Sequence, residues 1–489
     1  MILSTNHSEF YNDLSESIRA FFPDANVVLA DNADSAHADA ETVLTVEAYI
    51  KGETAYANAR LNNGADAADA ADAADTPVGH AELACGQGSA LHVKRALKRV
   101  SKLAVYRLLS CMENKALPWG SLTGIRPTKL IYGGTDSEEL EKVYGVSADK
   151  CRLLEEIISA QKPFIHPPQR SIDVYIGIPF CRTRCVYCSF ATHDATKHKL
   201  IPAYMDALER DIAAARDMLK AKGLRPRCLY IGGGTPTALD ERQFAHLLEA
   251  LSVFEPEKEY TVEAGRPDTI TVEKMRAMKK RGVTRISINP QTMCADTLAL
   301  IGRRHSPQDV FDCFTQAKDI GFNSINADLI AGLPGENNAI FARSLKSVLE
   351  LGADNITVHT LSVKNGSVIS EYPQKYPMPS QEEAAAMVDT AREMLSLAGY
   401  TPYYLYRQKY QAGNLENVGY ALDGKQCIYN IDIMEETVSV LALGAGAVSK
   451  RVFDGQGRIE RCANSKSIYD YIQRIEEMIK RKQQLFDTF

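Results

Sequence analysis

Long apolar stretches and an excess of positive charge are both missing from this chain of 489 residues. No uninterrupted apolar run approaches the ~20 residues of a membrane-spanning helix, which predicts a protein without a membrane span. The formal net charge of −6 gives no global reason to expect a nucleic-acid partner. The chain also shows no apolar segment typical of a secretory signal, so we expect a reducing, cytoplasmic location.

A disulfide framework is equally hard to find among the 11 cysteines. Most of them are scattered singly along the chain, and we interpret these as reduced structural thiols. They are Cys85, Cys111, Cys151, Cys228, Cys294, Cys313, Cys427 and Cys462.

The remaining cysteines stand close together in the pattern C-x3-C-x2-C, at Cys181, Cys185 and Cys188. Thiolates at this spacing on one loop can converge on one iron–sulfur cluster, and such clusters usually have four cysteine ligands. Three ligands would leave one iron open to bind another molecule, which indicates a chemical rather than a purely electron-carrying site. The alternative is a zinc site, which needs a fourth ligand and has only His193 nearby.

Strand-like and helical patterns alternate regularly after a proline-containing linker at Gln161–Asp173. This alternation indicates a parallel sheet with right-handed crossovers, and six units are too few for a closed eight-fold barrel. We predict an α+β domain at residues 1–165, a core at 166–400 and a smaller domain at 401–489. The strand-like runs of the core are Val174–Ile178, Cys228–Ile231, Glu259–Ala264, Arg285–Ile288, Ser324–Ile330 and Asn355–Leu361.

Two further features follow the second and third predicted strands. The run Gly232-Gly233-Gly234 ends the second strand, and successive glycines let a ligand approach exposed backbone groups. Glu263 ends the third strand, where its carboxylate can accept hydrogen bonds from both hydroxyls of a ribose. The structural alternatives are a tight turn before a helix and a surface or helix-capping charge. Functional loops of such barrels lie at these strand ends, which favours the functional interpretation.

Five motifs occur in a characteristic order between about Ile172 and Ser449. Together with the cysteine loop, they resemble the radical S-adenosylmethionine (radical SAM) superfamily. Within it, they resemble the oxygen-independent coproporphyrinogen III oxidase (dehydrogenase) family, in its branch with a long N-terminal extension. The resemblance implies an open (β/α)6 partial TIM barrel with an α+β N-terminal region and a small C-terminal domain. The motifs are Tyr175-x-x-Ile178-Pro179-Phe180-Cys181, Gly232-Gly233-Gly234-Thr235-Pro236-Thr237, Arg285-x-Ser287-x-x-x-Gln291, Gly302-Arg303-x-His305-Ser306 and Asp328-Leu329-Ile330-x-Gly332-Leu333-Pro334-Gly335.

The same resemblance implies the cofactors and the residues that hold them. Cys181, Cys185 and Cys188 would ligate a [4Fe–4S] cluster whose open iron binds S-adenosylmethionine, with one or two such molecules per chain. Arg303 and Asp328 are expected on the substrate side of the pocket, away from the cluster, and they form the expected catalytic group with Tyr175. The residues matched to the cluster-bound S-adenosylmethionine are Tyr175, Gly233, Glu263 and Val448. Those matched to a second S-adenosylmethionine or the substrate side are Tyr187, Gly234, Thr235, Gln291, Arg303 and Asp328.

The implied activity is oxidative decarboxylation of a tetrapyrrole. A 5′-deoxyadenosyl radical would start the conversion of two propionates of coproporphyrinogen III to vinyl groups, with a flavodoxin or ferredoxin as electron donor. Two alternatives stay open: a haem chaperone and a haem-modifying radical methylase. The chain departs from the family pattern at Gly177, Phe190 and Asn289-Pro290, and Phe190 is more typical of the chaperones.

Overall fold

The computed structural model describes residues 1–23, 25–30, 42–63, 77–85, 89–124, 126–189, 193–195, 199–408, 412–453 and 458–487. These form two compact units, Met1–Glu155 and Glu156–Phe489. The first boundary therefore lies earlier than the predicted one at residue 165. The reason is that Ala160, Phe164 and Ile165 pack into an apolar cluster of the second unit.

The first unit is a five-stranded sheet with strand order β2-β1-β3-β4-β5. Strands β3 and β4 form an antiparallel hairpin in which Leu44 and Val46 point toward the core and Glu47 points to solvent. The apolar stripe of α2, including Val100 and Leu108, packs against this inner face. The elements are β1 (Ile2–Thr5), α1 (Tyr11–Arg19), β2 (Val28–Leu29), β3 (Thr42–Lys51), β4 (Thr54–Asn63), β5 (Val78–Ala84), α2 (Ala90–Met112), α3 (Thr128–Tyr132) and α4 (Ser137–Lys142). Helix α5 (Ala148–Gln161) begins in this unit and ends in the second.

The second unit contains the remaining helices and strands. Its strands are β6 (Ser171–Ile178), β7 (Phe180–Cys181), β8 (His193–Asp194), β9 (Arg225–Gly233), β10 (Glu259–Gly265), β11 (Arg285–Ile288), β12 (Ser324–Ala331), β13 (Asn355–Thr360), β14 (Thr401–Tyr406), β15 (Asn417–Ala421), β16 (Ser439–Leu443), β17 (Val448–Phe453) and β18 (Arg458–Ala463). Its helices are α6 (Ile201–Lys222), α7 (Glu241–Ala250), α8 (Val272–Lys280), α9 (Ala295–Leu300), α10 (Pro307–Ile320), α11 (Asn338–Glu350), α12 (Val368–Glu371), α13 (Gln381–Leu397), α14 (Ile428–Glu435), α15 (Ile468–Gln473) and α16 (Ile475–Phe486).

The main sheet has 11 strands in the order β14-β15-β13-β12-β11-β10-β9-β6-β16-β17-β18. Strands β6, β9, β10, β11, β12 and β13 are parallel neighbours, which confirms the predicted βα alternation and the partial barrel. The described residues from 401 onward extend this same sheet, with β15 pairing to β13 at one edge and β16 pairing to β6 at the other. The sequence assigns them to a C-terminal domain, whereas their strands share hydrogen bonds with the core.

The two faces of the parallel strands differ in chemistry. Side chains such as Val174, Ile176 and Leu229 are fully buried and apolar, as expected for the face beneath the crossover helices. The alternate positions point to the opposite face, which lines the barrel interior and carries tyrosines and polar groups such as Tyr175 and Glu263. No helix in the described ranges is long and apolar enough to cross a membrane.

Helix α14 lies at the N-terminal ends of the parallel strands. The Glu259 carboxylate accepts backbone N–H groups of Ile428 and Tyr429 at the start of this helix, at 3.1 and 3.4 Å. Arg227 donates to Asp432 of the same helix at 2.7 Å, and both side chains are buried. These contacts close one end of the barrel interior, so the opposite end, where the predicted site residues lie, is the place for a ligand.

Candidate active site

The cysteine loop follows strand β6 at the C-terminal end of the barrel. Strand β7 pairs with β8, so that Cys181 lies opposite Asp194. Farther along the loop, the N–H of Val186 donates to the Ile301 carbonyl at 3.2 Å. Cys185 is buried, Cys181 and Cys188 are half-buried, and none of the cysteines, all of which lie in the described ranges, forms a disulfide. The loop is thus attached to the barrel at its first thiol and again between Cys185 and Cys188.

Cys185 has two buried arginines beside its sulfur. Arg303 Nη1 lies 3.9 Å from the Sγ atom, and Arg266 Nη1 lies 4.0 Å from it. The two residues are only 7% and 3% exposed. Guanidinium groups suit a negatively charged sulfur, and the thiolate is the form that binds a metal. This donor set fits an iron–sulfur cluster.

The glycine run lies against the cysteine loop. Gly233 has φ +110°, and a Cβ atom there would come within 2.9 Å of the Ile178 nitrogen. A Cβ atom on Gly234 would lie 3.0 Å from Cys181 Sγ, and Thr235 Oγ1 is 3.4 Å from the same sulfur. The structure therefore brings Gly233, Gly234 and Thr235 together with the first predicted cluster ligand. The N–H groups of Gly234 and Thr235 donate to the Ile178 and Phe180 carbonyls at 2.8 and 2.7 Å, which holds the run against the cysteine loop.

Glu263 lies on strand β10 next to the glycine run. Its carboxylate accepts the hydroxyl of Tyr230, and a Cβ atom on Gly232 would approach its Oε2 to 2.8 Å. Burial raises the pKa of Glu263 to about 7, with Asp328 raising it further and the hydrogen bond from Tyr230 opposing the shift. The carboxylate therefore lies in the barrel interior and is close enough to the glycines to share one ligand with them.

A stack of tyrosine rings occupies the interior beside Glu263. The rings of Tyr175 and Tyr230 are 6.2 Å apart, and those of Tyr230 and Tyr429 are 4.3 Å apart, both in stacked geometry. Burial, and then the Glu263 charge, raises the pKa of the Tyr175 hydroxyl. Tyr175 thus lies near Glu263, which is consistent with the prediction that both residues contact the same S-adenosylmethionine.

The far side of the interior carries Gln291, Asp328 and His359. The Gln291 N–H donates to the Asp328 carbonyl at 2.9 Å, while its side-chain Oε1 is buried without a hydrogen-bond partner. Asp328 accepts from Asn326 Nδ2 at 2.8 Å and lies 3.7 Å from His359 Nε2. His359 Nδ1 is in turn 3.1 Å from the Tyr406 hydroxyl. This row offers an unpaired acceptor and an Asp–His pair to a ligand.

Arg303 lies on the cluster side, which differs from its predicted place on the substrate side. Besides the contact with Cys185, it donates to the Asn289 carbonyl at 2.5 Å and to the Tyr187 hydroxyl at 3.4 Å. The reason is local: Thr183 of the cysteine loop donates to the Gly302 carbonyl at 3.3 Å, which holds the segment after α9 against that loop. No ion pair joins Arg303 to Asp328 within the part of the chain that the structure describes.

The remaining predicted residues are less informative. Val448 begins strand β17 and is 45% exposed, so its assignment to S-adenosylmethionine stays a prediction. Phe190 lies outside the described residues. Three residues of the site are not among those predicted from the sequence, namely Arg266, Tyr230 and His359. Tyr230 and His359 carry a weak signal, because their strand positions alternate with apolar residues, and Arg266 carries one in its place just after the third predicted strand.

Comparisons with known proteins agree with this geometry. A family model described as "Radical SAM superfamily" matches residues 175–348. The "Oxygen-independent coproporphyrinogen-III oxidase-like protein HemZ" of Bacillus subtilis is 38% identical over 417 residues, which are 81% of this chain and 83% of that protein. The "Heme chaperone HemW" of Bacillus subtilis is 34% identical over 237 residues, 47% of this chain and 62% of that protein.

The solved structure of coproporphyrinogen III oxidase (HemN) from Escherichia coli has a similar fold. Its TM-score is 0.52 at 21% identity, over 75% of this chain and 79% of that chain. This structural similarity supports the fold, whereas the family assignment rests on the sequence relatives. The chain belongs to the radical SAM superfamily and, within it, to the oxygen-independent coproporphyrinogen III oxidase-like family, in the branch with a long N-terminal extension.

Proposed function

We propose that this chain is a radical SAM coproporphyrinogen III dehydrogenase, which converts two propionates of its substrate to vinyl groups and gives protoporphyrinogen IX. One observation carries the proposal. Glu263 connects the glycine run beside the cysteine loop to a tyrosine-lined interior, and the Gln291–Asp328–His359 row lies across it. The relative with 38% identity, named as a coproporphyrinogen-III oxidase-like protein, supports the same substrate class.

Superfamily membership implies a [4Fe–4S] cluster and S-adenosylmethionine, and the donor set fits both. Cys181, Cys185 and Cys188 would hold the cluster, while Gly233 and Glu263 would hold the methionyl and ribose groups. Bound together, cluster and S-adenosylmethionine supply a one-electron reductive cleavage that yields a hydrogen-abstracting radical. The protein's own contribution is to position the substrate and to exclude water.

The interior suits a pyrrole macrocycle. Stacked rings such as Tyr175 and Tyr230 offer flat apolar surface, and aromatic pairs favour this offset geometry. The Oε1 atom of Gln291 is a buried acceptor without a partner, and a pyrrole N–H is a donor that would satisfy it. Asp328 would orient His359, whose ring would serve as a hydrogen-bond donor to a propionate. A cytoplasmic flavodoxin or ferredoxin is the proposed electron donor.

A second candidate is a haem chaperone, which would bind the tetrapyrrole without decarboxylating it. The 34% identity to a heme chaperone over 237 residues favours it. The two candidates predict different products from the same incubation, so one assay separates them.

The test is an anaerobic incubation of the reconstituted protein with coproporphyrinogen III, S-adenosylmethionine and a low-potential reductant, followed by mass spectrometry of the porphyrins. We expect loss of two carboxyl groups from each substrate molecule. Cys188→Ala is the matched control, because it should bind no intact cluster and give no product. Unchanged coproporphyrinogen together with tight haem binding by the wild-type chain would favour the chaperone instead.

A further inference from the structure

The buried arginine Arg266 has no role in the proposed function. It directly follows strand β10, and its side chain is only 4% exposed. Its Nε and Nη2 atoms hold the two carboxylate oxygens of Asp268 at 3.0 and 3.4 Å. This two-point contact fixes the plane of the guanidinium group.

The fixed guanidinium reaches into the cysteine loop. Its Nη1 donates to the Thr183 hydroxyl at 2.6 Å and to the Thr183 carbonyl at 3.1 Å, and it lies 4.0 Å from Cys185 Sγ. Arg303 approaches the same sulfur from another segment at 3.9 Å. One buried thiol therefore faces two cations, while Asp268 is the single carboxylate in this set of contacts.

The neighbouring histidine, His305, lies in the same positive environment. His305 is 4% exposed, and neither of its ring nitrogens has a hydrogen-bond partner. Burial, followed by the charge of Arg303, lowers the pKa of His305 to about 4. The ring is therefore neutral at physiological pH and adds no third cation beside Cys185.

We infer that Arg266 is a positioning residue that raises the reduction potential of the cluster held by Cys185. The inference rests on the proposed function, because it requires that Cys185 ligate a [4Fe–4S] cluster. Net charge and hydrogen bonds to the sulfurs set the potential of such clusters, and a nearby cation stabilises the more negative reduced state. The consequence is a cluster that a weaker electron donor can reduce.

The chain offers a matched control for the loop-anchoring part of this role. Arg182 lies on the same loop and donates to the Asp268 carbonyl at 2.6 Å, so it also ties the loop to the end of β10. Its side chain is exposed, and solvent screens its charge. Arg182→Gln therefore removes one cation and one anchor from the same loop with little effect on the cluster's electrostatics.

The experiment is a redox titration of the reconstituted full chain without S-adenosylmethionine, followed by electron paramagnetic resonance of the reduced cluster. Iron and sulfide analysis of each variant verifies that the cluster is complete. For Arg266→Gln we expect a midpoint potential below that of the wild type, with at least a tenfold smaller ratio of reduced to oxidised cluster at a fixed potential. A tenfold ratio corresponds to about 59 mV for a one-electron couple. Arg182→Gln should titrate like the wild type.

A complete cluster in Arg266→Gln with the wild-type potential would overturn the inference, and so would equal shifts in both variants. If Arg266→Gln fails to hold a cluster, the midpoint potential of Asp268→Asn provides the test. It keeps the guanidinium but removes its counter-charge, so the potential should rise, and an unchanged or lower potential would overturn the inference. A wild-type chain that binds no cluster at all would instead overturn the proposed function on which this inference rests.

Discussion

Tyr230 on strand β9 donates its hydroxyl to the carboxylate of Glu263 on the adjacent strand β10. The carboxylate has no basic side chain in direct contact among the described hydrogen bonds and ion pairs, so burial dominates and raises its pKa to about 7. This places the proton equilibrium of the proposed ribose-binding group within the physiological pH range.

The affinity for S-adenosylmethionine should therefore depend on pH through Glu263. The ionised carboxylate accepts two hydroxyl hydrogen bonds, so the affinity should increase as the pH rises through about 7. Glu263→Gln should bind more weakly at pH 8 by about 1.5–3 kcal/mol and should lose this pH dependence. Equilibrium titrations at pH 6 and pH 8 measure both effects. An identical pH profile in the variant would remove Glu263 from the site.

The same group affects stability with a definite sign. Because its pKa is raised in the folded state, Glu263 favours folding at low pH, and this contribution is lost as the pH rises through about 7. Glu263→Gln should flatten the pH dependence of the unfolding free energy between about pH 5 and pH 8. Urea titrations across this range provide the measurement, and a slope equal to that of the wild type would contradict the prediction.

Gly234 should be essential for cluster retention. A Cβ atom there would come within 2.5 Å of the Phe180 carbonyl oxygen and 3.0 Å of Cys181 Sγ, and a backbone atom cannot move away as a flexible side chain can. Gly234→Ala should therefore lower the iron bound after reconstitution. Gly124→Ala is the control, because its added Cβ meets nothing within 4 Å. Equal iron contents in the two variants would show that the cysteine loop tolerates the change.

His359 should act on the substrate rather than on the cofactor. Its Nε2 faces Asp328 and its Nδ1 faces the Tyr406 hydroxyl, and among the described residues neither partner has a hydrogen bond or ion pair to the cysteine loop. His359→Gln should keep the cluster and the uncoupled cleavage of S-adenosylmethionine, but it should lose most of the porphyrin product. Quantifying 5′-deoxyadenosine and porphyrins in one assay distinguishes these effects. Proportional loss of both products would place His359 at the cofactor instead.

The C-terminal helix α16 is held to the barrel by a buried ion pair. Lys482 Nζ contacts Asp211 of α6, and the two side chains are 4% and 1% exposed. Removing the cation leaves an uncompensated buried carboxylate, so Lys482→Ala should lower stability by about 3–5 kcal/mol. The exposed neighbour Lys480→Ala should change stability by no more than about 0.5 kcal/mol. Denaturant unfolding of both variants tests this, and similar midpoints would mean that the pair contributes little.

Much of the architecture follows from the sequence because its signals are local. Alternating strand and helix periods predict the parallel core, and all six strand-like runs correspond to neighbouring parallel strands, with Arg285–Ile288 matching to the residue. Parallel strands end at one edge, so residues that follow different strands must meet there. From that rule alone, Gly234 and Thr235 are expected to lie near Cys181.

Only the tertiary structure shows which side of the site each charged residue occupies. The sequence predicts Arg303 and Asp328 on the same side of the site, yet the segment after α9 packs onto the cysteine loop and places the Arg303 guanidinium at Cys185. Arg266 reaches the same sulfur across 81 residues of sequence, and Glu259 meets the start of α14 across 169. Such contacts depend on how distant segments pack, and no periodicity or spacing encodes them. The sequence by itself thus determined the family and the sheet and predicts the cluster ligands, while packing determined which charges face Cys185 and which end of the barrel is closed.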